Sequence, residues 1–300
     1  MVAEPDLGEL IEAWELTLRA RNRSPRTIET YLETAGQFYD WLADQGRPTV
    51  ASQVTTRDVE GWIAHLLDTR SNGTARVRYR SLQQLWRYLL EEGDIDASPM
   101  AGMRPPTPEE QVVPVVPDDD MRRLITTCRG REFVDRRDYA LVLFLLDTGA
   151  RVAELVGLTL TDVDLDLDVA LIVGKGRRER TLPFSPKVAE ALKRYELARR
   201  AQPKADLPDY WIGRLGPLTT SGIRQILERR SRQAGIDPVH PHQMRHTFAH
   251  HFLTAGGNEG DLMRLAGWKS RLMLNRYAAS AADSRARDAH RLYSPVEGLL

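Results

Sequence analysis

The sequence predicts a mainly α-helical protein with one small antiparallel β-sheet, divided into two domains. Three observations lead there. The chain has 300 residues, more than the roughly 100–200 typical of one domain. Six of its 17 prolines fall between Pro99 and Pro117, where they interrupt any helix or sheet ladder. Both flanks carry helix-period apolar patterning, and only Val169 to Val173 reads as a β-branched strand followed by a turn and a return. The expected organisation is a helical domain over 1–104, a linker over 105–117 and a mixed α/β domain over 118–300 with a C-terminal tail.

In chain order, Leu7 to Ala20 carries apolar residues at helical spacing. Ser24-Pro25 supplies an N-cap and a first-turn proline for a helix through Trp41-Leu42, closed by Gly46. Thr55 and Thr56 precede a third helix through Leu67, and Ser71 to Leu90 reads as a fourth ending before Gly93. Downstream, helices are expected at 118–128 and 136–147, the second apolar enough to be buried. Gly174-Lys175-Gly176 then turns the chain between Val169–Val173 and Arg180-Thr181-Leu182, a hairpin. Helices follow at Pro186–Arg200, Ser221–Ala234, His242–Thr254 and Glu259–Ala266, with shorter ones near Leu274–Ala279 and Ser284–Leu292.

Composition narrows the function classes. The longest apolar run, Tyr139 to Leu146, is far below the roughly 18 residues of a membrane span, and the acidic N-terminus lacks a signal-peptide layout. A soluble, cytoplasmic protein is expected. The single cysteine, Cys128, can complete neither an internal disulfide nor a Cys-rich zinc cluster. Forty-two basic residues balance 42 acidic ones, which argues at first against a nucleic-acid partner. Residues 1–104 hold 12 basic against 16 acidic, net −4, leaving 30 against 26, net +4, for 105–300. Local clusters matter more for phosphate binding: Arg19-Arg21-Arg23-Arg26, Arg76-Arg78-Arg80 and Lys175-Arg177-Arg178-Arg180. Each taken alone is also ordinary solvated surface. On the fourth helix Arg76, Arg80 and Arg87 fall near one face, able to lie on a phosphate backbone or simply to face water.

Four segments carry chemistry: Thr148-Gly149-Ala150-Arg151-Val152-Ala153-Glu154-Leu155; Lys175 in the hairpin; His242-Gln243-Met244-Arg245-His246; and Leu265-Ala266-Gly267-Trp268 with Tyr277 nine residues after the tryptophan. In this order and spacing they resemble the tyrosine recombinases, the family of phage integrases, Xer-type recombinases and Cre. The resemblance is detailed from Tyr139 to Tyr277. It is looser over the N-terminal helices, which are similar to that family's helical core-binding (SAM-like) domain.

Metal-free phosphodiester cleavage must neutralise charge on the non-bridging oxygens by other means. Arg151 and Arg245 would each offer a planar, permanently charged fork of donors matching phosphate geometry. A helix-start arginine paired with Glu154 is the ordinary alternative for Arg151. Tyr277 would be the nucleophile; its phenol, with an ordinary pKa of roughly 10, needs help losing its proton, and His242 is the natural acceptor. The resemblance implies that His242 acts as general base or hydrogen-bonds the phosphate, that Lys175 protonates the departing 5′ oxygen, and that Glu154 and His246 brace the site. Trp268 stands where the family most often has a second histidine. Indole can donate one hydrogen bond and pack, but cannot exchange a proton as imidazole does.

The resemblance further implies a C-shaped clamp on double-stranded DNA, a 3′-phosphotyrosyl intermediate, and strand exchange by four protomers through a Holliday junction. The C-terminal tail would pass to a neighbouring protomer, and an accessory DNA-bending or directionality factor is compatible with the family. No metal or nucleotide cofactor is expected. The DNA contacts expected outside the catalytic set are Arg23, Arg26, Arg76, Arg80, Arg87 and Arg178, and DNA binding would place the protein on the nucleoid. Two other classes stay open: a sequence-specific DNA-binding protein without catalysis, and a metal-dependent hydrolase using His242, His246 and His250, which share a helix face at i, i+4, i+8.

Overall fold

The computed structural model describes residues 5–107, 114–174 and 178–268, together with Leu274 and His290. The chain divides into two compact units, Met1–Gln111 and Val112–Leu300.

The first unit is built from four helices, α1 (Leu7–Ala20), α2 (Pro25–Asp44), α3 (Thr56–Thr69) and α4 (Asn72–Glu92), with a short 3₁₀ turn at Ala51–Gln53. Their starts follow the capping chemistry. The Asp6 carboxylate accepts from the Gly8 N–H at 2.8 Å and from the Thr49 hydroxyl at 2.6 Å, so one side chain caps α1 and ties it to the segment before α3. Thr55 and Asp58 form a reciprocal capping box on α3. Gly93, in the left-handed conformation at φ 83°, closes α4. Trp14, Phe38, Trp62, Tyr79 and Trp86 are buried at the centre, each burial contributing roughly 1.5–3 kcal/mol. Arg78 fastens α4 to α2: it donates to the Thr34 hydroxyl at 2.9 Å and pairs with Glu33 at 2.5 Å.

The second unit contains α5 (Asp118–Thr127), α6 (Phe133–Thr148), α7 (Val152–Val156), α8 (Pro186–Arg199), α9 (Thr220–Ala234), α10 (Pro241–Thr254) and α11 (Glu259–Ala266). Its sheet has the antiparallel order β1 (Val163–Asp164), β2 (Val169–Gly174), β3 (Arg178–Pro183). α6 buries Ala140, Leu141, Val142, Phe144 and Leu145; a helix apolar on nearly every side must be covered on nearly every side. In the hairpin Ala170 pairs with Leu182 and Ile172 with Arg180, so by the two-residue period those four side chains share one face. A satellite core of Phe248, Ala249, Leu253, Leu262, Ala266, Trp268 and Leu274 packs α11 against α10. On α6 itself, the fully buried Asp138 receives Arg137 of the same helix and Arg229 and Arg230 of α9, joining α6 to α9.

The helices expected from periodicity are present within a few residues of their expected ends. α7 and β1 were not anticipated, being five and two residues long, too short for a periodic signal. The short helices expected near Leu274–Ala279 and Ser284–Leu292 lie, apart from Leu274 and His290, outside the described residues. Among the described residues no helix is long and apolar enough to cross a membrane.

Candidate active site

The site begins where α6 stops. Gly149 adopts φ 58°, a conformation that costs an L side chain roughly 1–2 kcal/mol, and a Cβ there would sit 2.2 Å from Phe248 Cδ1. This turn delivers Arg151 to the N-cap of α7. The Glu154 carboxylate accepts from the Arg151 backbone N–H at 2.8 Å and from its guanidinium at 2.9 Å. The helix-start pairing with Glu154 therefore exists, and it leaves the Arg151 side chain 43% exposed, with another guanidinium nitrogen 3.4 Å from the Gly267 carbonyl.

Arg245 reaches the same place from α10. Its side chain is buried, and its two terminal nitrogens donate to the Gly149 carbonyl at 2.6 Å and the Ala266 carbonyl at 2.5 Å. Both acceptors lie at helix C-termini, of α6 and α11, where carbonyls lack intrahelical partners and carry the negative end of the helix dipole. A guanidinium fork bridges them with one rigid plane; a lysine ammonium could not reproduce that geometry. The Arg245 Cζ also stands 5.4 Å from the centroid of the buried Trp268 ring. Trp268 thus serves as a core aromatic and as a wall for the arginine at once.

A third arginine joins them. Arg180, on β3, donates through Nε to the Leu265 carbonyl at 3.2 Å and through both terminal nitrogens to the two Glu154 oxygens at 2.9 Å each. Leu265, Ala266 and Gly267, three consecutive carbonyls at the end of α11, accept from Arg180, Arg245 and Arg151. Burial pushes the Glu154 carboxyl up, but the hydrogen bonds from Arg180 and Arg151 outweigh it and hold the pKa at about 2.

His242 and His246 stand one turn apart near the start of α10, ring centroids 4.6 Å apart and nearly perpendicular at 83°. His242 is exposed and His246 is buried beneath it. His250 is half-buried; burial, followed by the neighbouring His251, lowers its pKa. His251 lies 3.0 Å from Asp118. Among the described residues no group of three His, Cys, Asp or Glu side chains could hold a metal ion.

Arg151, Glu154, Arg245, His242, His246 and Trp268 are thus placed, whereas Lys175 and Tyr277 lie outside the described residues. Arg178 begins β3, but its side chain is likewise outside them. In the first unit Arg23 and Arg80 are exposed and Arg76 is half-buried. Arg26 pairs with Glu29 at 2.7 Å and Arg87 with Glu91 at 2.9 Å, both on the surface. Arg78, grouped with Arg76 and Arg80 by sequence, is turned inward to α2. From sequence, Arg180 belongs to the returning strand of the hairpin and to a basic cluster, with no role in the site. Strand alternation held the missing signal: it falls on the face of Leu182 and Ile172, and an arginine on a buried face needs a carboxylate.

Residues 114–284 match the phage integrase family, and residues 10–93 match the N-terminal SAM-like domain of phage integrases. The chain belongs to the phage integrase family. It is similar to tyrosine recombinase XerC of Oceanobacillus iheyensis, 30% identical over 257 residues, covering 83% of this chain and 84% of that one. Tyrosine recombinase XerD of Corynebacterium glutamicum is 30% identical over 279 residues, covering 88% and 90%. The Tn1549 transposon integrase, solved in complex with transposon right end DNA, shares the fold at a TM-score of 0.76 and 19% identity, over 97% of this chain and 100% of that one. This protein is therefore a tyrosine-type site-specific recombinase, and the mainly helical two-part architecture with its small antiparallel sheet is the expected one.

Proposed function

We propose that this recombinase cuts and rejoins duplex DNA through a 3′-phosphotyrosyl link at Tyr277, with Arg151 and Arg245 holding the scissile phosphate. The observation that carries this reading is the anchoring of both guanidinium groups on adjacent carbonyls, Gly267 and Ala266. Two fixed cations side by side match the two non-bridging oxygens of one phosphodiester. Preorganised donors of this kind stabilise a pentavalent transition state without reorganising as charge develops.

The Tyr277 oxygen attacks phosphorus while the bond to the 5′ oxygen breaks. The phenol proton passes to His242, and Lys175 gives a proton to the departing oxygen. His246 supports His242 from beneath, Glu154 orients Arg151, and Trp268 walls Arg245. The phosphotyrosyl bond conserves the energy of the original ester, so rejoining needs no ATP.

In this reading residues 1–104 form the core-binding domain, 105–117 a linker and 118–300 the catalytic domain. Arg23, Arg26, Arg76, Arg80, Arg87 and Arg178 contact DNA phosphates, and the protein acts in the cytoplasm on nucleoid DNA. Four protomers assemble on DNA, with Leu292, Tyr293 and Val296 of each tail docking on a neighbour. A truncation at Ala282 that still forms cooperative tetramers on DNA argues against that docking.

The test uses a duplex selected by the protein from a random-sequence pool, nicked near the cleavage position so that religation is blocked, and incubated with EDTA. The recombinase forms a covalent adduct and Tyr277→Phe forms none. Loss of activity in EDTA would favour a metal-dependent hydrolase, and binding without any adduct a non-catalytic DNA-binding protein.

A further inference from the structure

Glu154 has four lone-pair directions, and four N–H donors are aimed at its two oxygens. Two come from Arg151, its backbone N–H and one guanidinium nitrogen. The other two form the parallel fork of Arg180. The Glu154 side chain is 7% exposed and that of Arg180 17%, against 43% for Arg151. The carboxylate between the two guanidinium groups is therefore the most buried of the three, Arg151 is the most exposed, and the triad carries one positive charge in excess.

We propose that Arg180 is a positioning residue for DNA cleavage, which occupies the fork-accepting side of Glu154 so that Arg151 keeps its exposed nitrogens for the phosphate. Two features support this role. All three guanidinium nitrogens of Arg180 are committed inward, to Glu154 and to the Leu265 carbonyl. The α11 terminus also leaves room for Arg180 by having glycine at 267, where a Cβ would crowd the Arg180 Cζ at 3.2 Å. Arg180 thereby ties β3 to the three carbonyls on which Arg151 and Arg245 rest. Without it, the Glu154 oxygen that now accepts from the Arg151 backbone N–H is free to turn onto the Arg151 guanidinium beside the other oxygen, drawing that guanidinium off line and cancelling more of its charge. A displacement of about 1 Å in a reacting group can cost on the order of 100-fold in rate.

The inference rests on Arg151 facing the scissile phosphate, as proposed above, and the test separates the two. Wild type, Arg151→Ala, Arg180→Ala and Arg180→Lys are compared on the nicked duplex described above. They are compared again on the same duplex with a methylphosphonate at the scissile position, which lacks one non-bridging charge. Covalent adduct formation is timed, and duplex binding is measured in parallel. The expected result for Arg180→Ala is binding within about threefold of wild type and cleavage slowed about 10- to 100-fold. Most of that deficit is recovered on the methylphosphonate, as it is for Arg151→Ala, because a neutral phosphonate asks less of Arg151. A packing defect would slow both substrates alike.

Arg180→Ala that cuts the phosphodiester at the wild-type rate, or that is slowed equally on both substrates, overturns the assignment. Arg151→Ala cutting at the wild-type rate overturns the phosphate reading and this inference together. If Arg180→Ala fails to fold, Arg180→Lys decides. Its ammonium keeps the charge beside Glu154 but cannot reproduce the parallel fork and the Leu265 hydrogen bond together, so it must show a smaller deficit with the same recovery on methylphosphonate, and absence of that recovery overturns the proposal.

Discussion

Arg151 and Arg245 come from segments 94 positions apart in number yet donate to adjacent carbonyls, Gly267 and Ala266. One helix end thus sets the separation of two cations. Both acceptors belong to the α11 terminus, which the Phe248, Leu262 and Trp268 cluster packs against α10. The site is as rigid as that small core.

The first prediction concerns the fork. Arg245→Lys keeps the charge but can satisfy only one of the Gly149 and Ala266 carbonyls in the geometry seen here. Adduct formation is expected to fall about 100- to 1,000-fold, the size of effect seen when one preorganised donor is lost. The loss is expected in the rate at saturating DNA rather than in binding. An adduct time course at saturating DNA checks it.

The second concerns acid stability. Glu154 titrates at about 2 in the folded chain, below the ordinary value of 4.5. A carboxyl depressed by folding contributes stability that is fully present above its unfolded value and is lost as pH falls through its folded one. Stability from Glu154 is therefore expected to decline between about pH 4.5 and 2. Urea midpoints across that window are expected to change less steeply in Glu154→Gln, and an unchanged slope would assign the acid sensitivity to other carboxylates.

A third follows from the turn after α6. Gly149→Ala places a Cβ 2.2 Å from Phe248 Cδ1 at a backbone φ of 58°. The conformation alone costs about 1 kcal/mol or more, and the clash adds to it. Because the Gly149 carbonyl holds Arg245, cleavage is expected to drop even at temperatures where the variant stays folded. Calorimetry and adduct rates on the same preparation separate the two effects.

The last lies away from the chemistry. Asp138 is fully buried and is reached by Arg137 at 2.8 Å, Arg229 at 2.7 Å and Arg230 at 2.8 Å. Asp138→Asn leaves buried guanidinium charge without its counter-ion, a change that typically costs about 3–5 kcal/mol. A fall of that size in the unfolding free energy extrapolated from urea denaturation is expected, with the folded fraction still able to form adduct.

Local chemistry was legible wherever a signal is short-ranged. Ser24-Pro25, Thr55 and Gly93 mark helix ends because caps act on groups within three or four residues. The Gly149, Arg151, Glu154 segment and the His242 to His246 segment stood out only together, through their resemblance to the tyrosine recombinases; the structure adds that Arg151 and Arg245 rest on adjacent carbonyls. α7 was not legible, because five residues give no period. Nor could one guess that, of the neighbours Arg76, Arg78 and Arg80, the middle one faces inward to Thr34 and Glu33.

By itself, the sequence determined the helical composition, the one hairpin and the residue types able to neutralise a phosphate, because each depends on periodicity, capping or intrinsic charge. Only the tertiary structure decided which arginines meet. Arg180 and Glu154 are 26 positions apart, and Arg245 and Gly149 are 96 apart. What joins them is the packing of α10, α11 and β3, which turns a few unpaired helix-end carbonyls and one buried carboxylate into the mould that orients every guanidinium around them.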